Sequence, residues 1–276
     1  MTDYVDAGEA VPHKALSATK GEAPATGDVN FERIKNARSE PENWLTYYGT
    51  YDAQRYSALD QIDKESVKKL VPAWVFQAGS VGLSAGSSTY SFESSPLVVE
   101  GVMYVSGPDG KLWAIDAVTG EELWRYKHAS PYDVSLCCGN VNRGVAVGHG
   151  KVYLYTLNAH LIALDATSGE LQFDVINGDV RAGESGTVAP LIVKDMVVVG
   201  SSGDQARPQP LQESVLTLTL RGLLPRGFPA CHLFFLTDSS YSIRRMPTFR
   251  DGVAPWLRAL FSLPGGPAEA ITKRQK

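Results

Sequence analysis

Two neighbouring cysteines are the side chains in this sequence best suited to redox chemistry or to a strained functional site. Cys137 and Cys138 open the run Cys-Cys-Gly-Asn-Val-Asn-Arg-Gly over residues 137–144. A disulfide between adjacent residues closes a small strained ring and forces an unusual peptide geometry. Strain of this kind collects at functional sites. The alternative interpretation is a pair of reduced, buried thiols.

Other chemistries find little support in the residue pattern. The third cysteine, Cys231, lies far along the chain without an evident partner. No zinc-type spacing and no Cys-x-x-Cys-His haem attachment motif occur. There is no glycine-rich phosphate loop and no nucleophile elbow. The five histidines are scattered and form no ligand pair: His13, His128, His149, His160 and His232.

The elements around the cysteine pair repeat themselves. Residues 114–124, Ala-Ile-Asp-Ala-Val-Thr-Gly-Glu-Glu-Leu-Trp, match residues 163–173 at a constant offset of 49. A third copy begins at Ala189-Pro-Leu-Ile-Val and ends near Asp204. A fixed period of this size is the signature of a repeat architecture.

Each repeat reads as four antiparallel strands, which is one propeller blade. Residues 96–105 give two apolar runs around a Glu-Gly turn, which predicts a hairpin. Asp116 is expected to cap the turn that contains Gly120 through its carboxylate. Trp124 is expected to pack between neighbouring blades. We therefore read Asp116, Gly120 and Trp124 as structural residues.

The sequence before the repeats predicts three further segments. Residues 1–29 are rich in Ala, Gly, Glu and Thr and are expected to be flexible. Residues 62–70 suit a short helix capped by Asp63, and residues 72–76 suit a strand. The acidic start lacks the apolar stretch of a signal peptide, and no run is long enough to span a membrane.

The composition changes abruptly after Asp204. Residues 205–276 hold 10 Lys+Arg and 4 Asp+Glu, a net of +6, against −10 for residues 1–204, which sums to the −4 of the chain. The same segment holds 8 of the 16 prolines. Its bases are mostly arginine. Such a shift marks a domain boundary or a change of segment type, and the overall acidic balance argues against nucleic-acid binding.

Three interpretations of residues 205–276 stay open. The segment is a poorly ordered extension, an unusual second domain, or the product of a shifted reading frame. We favour the shifted frame, because it explains best the change in arginine and lysine usage. The expected organisation is therefore a flexible segment 1–29, a partial propeller 30–204, and a non-homologous tail 205–276.

Residues from about 40 to 204 resemble the pyrroloquinoline-quinone (PQQ)-dependent alcohol dehydrogenases, the methanol and ethanol dehydrogenase family. The resemblance rests on residues 43–49, Asn-Trp-Leu-Thr-Tyr-Tyr-Gly, and on residues 55–59, Arg-Tyr-Ser-Ala-Leu. The repeat Ala-x-Asp-x-x-Thr-Gly-x-x-x-Trp is similar to the family's tryptophan-docking motif. Cys-Cys-x-x-Val-Asn-Arg-Gly is the most specific signature.

The resemblance implies an eight-bladed propeller with the quinone in its central channel. It implies a disulfide between Cys137 and Cys138 as one face of the cofactor site, and Arg143 as the residue that binds a quinone carboxylate. Glu93 matches a glutamate that contacts the quinone, and Thr187 a threonine hydrogen-bonded to it. The full set of implied cofactor contacts is Glu93, Cys137, Cys138, Val141, Arg143, Thr187, Ser202, Gly203 and Asp204.

The sequence also departs from the family pattern. The family's first calcium-binding glutamate falls at Gln205, whose neutral oxygen is a poorer ligand for a hard cation. The later metal ligands, the catalytic aspartate and the stacking tryptophan have no counterpart in residues 205–276. Eight blades need roughly 400 residues at this repeat length. The expected fold is therefore all-β, the first three to four blades of an eight-bladed propeller with a poorly ordered, non-propeller tail.

The resulting expectation is a truncated PQQ-dependent alcohol dehydrogenase that is inactive alone. The resemblance implies PQQ with calcium or a lanthanide, a small primary alcohol as substrate, a cytochrome c as electron acceptor, and the periplasm as location. Two alternatives stay open. One is a non-catalytic propeller module for binding or assembly, and the other is an active enzyme completed by a second chain with the missing blades.

Overall fold

Each repeat folds as a four-stranded antiparallel sheet in the computed structural model of the chain. The structure describes residues 23–25, 27–79, 91–108, 110–129, 139–180 and 184–201 with their side chains. It also describes the backbone of two strands at 214–219 and 233–237. The described strands form three sheets, which we call blades 1 to 3, and the prediction of a partial all-β propeller is confirmed.

The strands follow the chain in order within each of the three blades. Blade 1 contains β1 (Leu97–Val99), β2 (Val102–Ser106), β3 (Lys111–Asp116) and β4 (Glu122–Lys127). Blade 2 contains β5 (Ala146–Gly148), β6 (Lys151–Tyr155), β7 (His160–Asp165) and β8 (Leu171–Ile176). Blade 3 contains β9 (Leu191–Val193), β10 (Met196–Ser201), β11 (Ser214–Thr219) and β12 (Leu233–Thr237).

The turns within blade 1 form as the sequence predicts. Glu100 and Gly101, with φ of 49° and 79°, make the tight turn of the β1–β2 hairpin. The Asp116 carboxylate accepts hydrogen bonds from the backbone N–H groups of Thr119 and Val118, each at 2.8 Å. These bonds hold the pKa of Asp116 below its usual value. Asp165 caps the matching turn of blade 2.

Trp124 joins blade 1 to blade 2, as the repeat predicted. Its side chain is fully buried, and its indole N–H donates to the carbonyl of Ala166 at 3.1 Å. Tyr104 donates its hydroxyl to the same carbonyl at 3.0 Å. The ring lies against Gly169, where an added Cβ would come within 2.6 Å of it. Gly169 also has a φ of 71°, so two requirements select glycine there.

Trp74 docks on blade 1 in the way that Trp124 docks on blade 2. Its indole N–H donates to the carbonyl of Ala117 at 3.2 Å, and its ring covers Gly120. The predicted strand at 72–76 is nevertheless wrong, because residues 70–78 contain no strand. A strand needs hydrogen-bonded partners, and among the described residues no backbone group pairs with 72–77.

The helix predicted over 62–70 forms only in part. A short 3-10 helix spans Ser66–Lys69. The Asp63 carboxylate accepts from the N–H groups of Ser66 at 2.6 Å and of Glu65 at 2.9 Å. Asp63 therefore binds N–H groups at the start of this turn, although the N-cap position itself is occupied by Glu65. The extent of the helix was overestimated.

Blade 3 takes two of its strands from the segment beyond Asp204. Strand β11 pairs with β10 over Met196–Thr219 to Ser201–Ser214, and β12 pairs with β11. Within β11, Leu216 and Leu218 alternate with Thr217 and Thr219 in the sequence. The sheet thus continues past the position where the composition changes. The expectation of a non-propeller tail over 205–276 is therefore wrong for β11 and β12. The other residues of 205–276 lie outside the described part, and the domain boundary after Asp204 stays a prediction.

The chain before blade 1 packs against blades 1 and 2. Helix α1 (Phe31–Lys35) is capped by Asn30, whose side chain accepts from the N–H of Arg33. Ala23 and Val29 are buried, so the described end of segment 1–29 is packed, and residues 1–22 lie outside the described part. Trp44 forms a two-way backbone bridge with Val98 of β1.

Helices are short and few in the part of the chain that the structure describes. None of those helices has the length and apolar character needed to cross a membrane.

A substitution pair tests the docking of Trp124. Gly169→Ala places a methyl group against the indole. Among the described residues, Gly150→Ala meets nothing within 4 Å at a nearly equal φ of 70°. Both variants carry the cost of a positive φ. We expect Gly169→Ala to lose about 1–3 kcal/mol more unfolding free energy than Gly150→Ala. Urea unfolding measures both, and equal losses would refute the docking contact.

Candidate functional site

Four of the residues implied as cofactor contacts lie in the described structure. They are Glu93, Val141, Arg143 and Thr187. Glu93, Arg143 and Thr187 come together, and Val141 is buried next to them in the chain with 2% exposure. The others lie outside the described residues, and so does the first expected metal position: Cys137, Cys138, Ser202, Gly203, Asp204 and Gln205. The Cys137–Cys138 disulfide therefore stays a prediction.

Arg143 sits where the chain segments leading into three blades meet. Its backbone N–H donates to the carbonyl of Thr187, and its own carbonyl accepts from the N–H of Ser95, both at 3.0 Å. Ser95 precedes β1, Arg143 precedes β5, and Thr187 precedes β9. We call this meeting point the Arg143 junction. In each blade the segment that leads into the first strand lies at the same end. The two backbone hydrogen bonds join these three segments to one another.

The side chains at the Arg143 junction form a small polar cluster. The guanidinium of Arg143 donates through Nη1 to the hydroxyl of Thr187. Its Nη2 lies 3.4 Å from the Glu93 carboxylate oxygen Oε2. The Arg143 and Glu93 side chains are 40% and 38% exposed. A cation, a hydroxyl and a carboxylate are thus held together at a position that a solute can reach.

Two residues beside the Arg143 junction were not singled out by the sequence. Gly144 has a φ of 143°, which is open only to glycine, and an added Cβ would lie 3.2 Å from the carbonyl oxygen of Ser95. Tyr47 packs at 3.3 Å from the same position. Burial raises the pKa of Tyr47, and the nearby positive charge of Arg143 opposes that rise. The phenol is therefore neutral at physiological pH.

Asn142 is the third residue that sequence reasoning missed. It is 4% exposed, and its amide oxygen accepts from the hydroxyl of Ser106 at 2.6 Å and from the N–H of Gly144 at 3.0 Å. Its amide nitrogen donates to the carbonyl of Tyr155 at 2.8 Å. A buried asparagine with every group bonded fixes the backbone on either side of it. The only local signal was its place beside Arg143 in the Val-Asn-Arg-Gly run.

The residues at the Arg143 junction offer no metal centre. Within the described part of the chain, no group of three or more His, Cys, Asp and Glu side chains has the arrangement to hold a metal ion. The donor set suits an organic anion instead. A guanidinium beside a hydroxyl binds a planar carboxylate through charge-assisted hydrogen bonds.

The fold agrees with the comparison to protein families. Residues 44–215 match the family of PQQ-dependent enzymes described as glucose/ethanol/alcohol dehydrogenase, beta-propeller domain. This match covers more than half of the chain. The chain therefore belongs to the PQQ-dependent alcohol dehydrogenase family of propeller proteins.

Individual relatives bear out the same membership. The 1-butanol dehydrogenase (quinone) of Thauera butanivorans is 38% identical over 189 residues, which is 66% of this chain and 29% of that protein. The structure of the quinohemoprotein alcohol dehydrogenase ADHIIG from Pseudomonas putida HK5 superposes with a TM-score of 0.62 at 34% identity. It is covered over 28% of its length, and 72% of this chain is matched.

A metal-containing relative has a similar fold. A europium-containing methanol dehydrogenase superposes with a TM-score of 0.60 at 32% identity, covering 68% of this chain and 32% of that one. The chain thus spans about a third or less of the relatives that it matches. The family is one of PQQ-dependent enzymes, and this methanol dehydrogenase contains a lanthanide, europium.

The segment that carries Thr187 is held against Tyr155, which gives a direct test of the geometry. An added Cβ on Gly186 would lie 2.1 Å from Cε1 of Tyr155, whereas one on Gly200 meets no described atom within 4 Å. We expect Gly186→Ala to lower the unfolding free energy by about 2–3 kcal/mol. Gly200→Ala should be neutral or stabilising, since alanine lowers the entropy of the unfolded chain. Chemical unfolding distinguishes the two, and a neutral Gly186→Ala would contradict the contact.

Proposed function

We propose that this chain supplies one side of the PQQ site of a quinoprotein alcohol dehydrogenase that oxidises a primary alcohol. The observation that carries the proposal is the Arg143 junction, where Arg143, Thr187 and Glu93 meet although they are far apart in sequence. Family membership supplies the reaction class. Each of these three residues matches a family cofactor contact in the sequence resemblance.

The residues of the Arg143 junction fit a planar polycarboxylate. The guanidinium of Arg143 is 40% exposed, so one of its edges is available to a carboxylate. The hydroxyl of Thr187 already accepts from Arg143 and keeps its own proton for donation. The residue after Arg143 is Gly144, so no side chain projects from the backbone at that position.

In this proposal each side chain has a positioning role. Arg143 binds a quinone carboxylate, and Thr187 orients both the guanidinium and the ligand. Glu93 holds the other edge of Arg143 and accepts hydrogen bonds from the ligand. Val141 supports the Val-Asn-Arg-Gly segment from its buried side. The remaining proposed quinone contacts are Cys137, Cys138, Ser202, Gly203 and Asp204. PQQ, when bound, supplies the two-electron acceptor for the hydride of the alcohol.

A metal and an electron acceptor complete the proposed enzyme. We propose calcium or a lanthanide as the metal and a cytochrome c as acceptor, although the family's first metal-ligand position falls at Gln205, whose neutral oxygen is a poorer ligand for a hard cation. The europium-containing methanol dehydrogenase and the quinohemoprotein from Pseudomonas putida supply the precedents. We also propose a Cys137–Cys138 disulfide and a periplasmic location, since disulfides persist in oxidising compartments.

The chain by itself is proposed to be inactive. It spans 29% of the length of the Thauera butanivorans relative, and residues 205–276 offer no counterpart for the catalytic aspartate or the later metal ligands. A complementing chain with the remaining blades would supply these catalytic groups and restore turnover.

Quinone binding tests the proposed site. Arg143→Gln should weaken PQQ binding at least tenfold, which is about 1.4 kcal/mol, because it removes the cation that faces the carboxylate. Arg125→Gln is the matched control, since Arg125 is 45% exposed and also pairs with a glutamate, Glu122. Titration calorimetry with PQQ measures both variants and the parent chain. Absence of binding by the parent chain would refute the site and favour a non-catalytic propeller module.

The encoding DNA tests the proposed origin of residues 205–276. If the segment comes from a shifted frame, a change of one or two bases restores glutamate at position 205 and further tryptophan-docking motifs downstream. Sequencing through codon 205 decides the matter. A frame that recovers no blades would show the segment to be genuine. Alcohol turnover by the chain alone with PQQ and calcium would overturn its proposed inactivity.

A further inference from the structure

A line of buried polar side chains crosses the three blades behind the Arg143 junction. We call it the polar belt. Each member is at most 5% exposed: Ser106, Asn142, Tyr155, Asn177 and Ser201. Buried polar groups cost free energy unless they are bonded. Five of them in one connected line therefore form a specific network and not a chance cluster.

The hydrogen bonds of the polar belt run from blade to blade. Ser106 donates to Asn142, so its single proton is used and Ser94 must donate to Ser106, at 3.0 Å. Asn142 donates onward to the carbonyl of Tyr155 in blade 2. The hydroxyl of Tyr155 then bonds the hydroxyl of Ser201 in blade 3.

Asn177 closes the belt between blades 2 and 3. Its amide nitrogen donates to the hydroxyl of Tyr155 at 2.8 Å and to the hydroxyl of Ser201 at 3.2 Å. Ser106, Tyr155 and Ser201 are the last residues of β2, β6 and β10. The belt therefore ties the same point of each blade to the next blade.

The polar belt lies next to Glu93, Arg143 and Thr187, three of the residues proposed to contact the quinone. Ser94 follows Glu93 in the chain, and Asn142 precedes Arg143. Thr187 follows Gly186, which lies against the ring of Tyr155. Thr187 lies before the first strand of blade 3, whereas Arg143 lies before the first strand of blade 2. Their separation consequently depends on how blades 2 and 3 are held together.

We infer that Tyr155 is a positioning residue for quinone recognition, and that its hydroxyl sets blade 3 against blade 2 so that Thr187 meets Arg143. This inference rests on the proposed function. Among the described residues, the hydroxyl of Tyr155 is the one group that bonds both Asn177 and Ser201. Burial raises the pKa of Tyr155, which keeps the phenol protonated and able to donate.

The same strand provides a matched control. Tyr153 lies two residues earlier in β6 and is also fully buried. Its hydroxyl has no hydrogen-bond partner among the described residues. Tyr155→Phe and Tyr153→Phe thus remove the same atom from the same strand, but only Tyr155→Phe breaks the polar belt.

The test compares PQQ affinity and stability for the full-length parent chain and both variants. Below the unfolding transition, Tyr155→Phe should weaken PQQ binding at least tenfold, and Tyr153→Phe should change it less than twofold. A purely structural role would lower only the midpoint of thermal unfolding of Tyr155→Phe and leave its PQQ affinity unchanged. That result, or equal affinities for the two variants, would overturn the inference.

Amide hydrogen exchange separates this inference from the proposed function. Tyr155→Phe should raise exchange at least fivefold in peptides that cover 184–187 and 199–201, and Tyr153→Phe should not. If the parent chain fails to bind PQQ, the proposed function fails, and exchange alone decides the role of Tyr155 in aligning the blades. Unchanged exchange in Tyr155→Phe would then refute it.

Discussion

The docking of Trp124 is the contact on which the arrangement of the blades depends. One indole fills the space above Gly169 and donates to Ala166, so it fixes both the distance and the rotation between blades 1 and 2. A four-stranded sheet with two apolar faces is not stable alone and must bury those faces against neighbours. Each docking tryptophan buries part of such a face, because its ring packs against a turn that contains glycine. Trp74 repeats the arrangement on the other side of blade 1.

The opposite end of each blade carries the polar groups. There the connecting segments meet at the Arg143 junction, and the polar belt lies directly behind them. Apolar docking and polar bonding therefore have different roles. The aromatic rings set the spacing between blades, and the buried hydrogen bonds set the local alignment of one blade with the next. Because Arg143 and Thr187 belong to different blades, a site of this kind needs both devices at once.

The segment that carries Trp74 shows that the composition of a strand is not enough to make one. Val71 and Val75 are 80% and 79% exposed, although both flank a docked tryptophan. Among the described residues no backbone group pairs with 72–77, and a strand needs hydrogen-bonded partners.

The sequence by itself determined the blades, because strand alternation, Asp116, Gly120 and Trp124 act within one repeat and recur at a fixed offset. The family signature also pointed to Arg143, since that run is contiguous. Only the tertiary structure decided the roles of Asn142, Tyr155 and Tyr47, and the failure of the strand at 72–76. Their partners lie on other blades, and local pattern carries no information about contacts between residues that are distant in the chain. A buried hydrogen bond needs two specific atoms in place, and that condition exists only once the blades have packed.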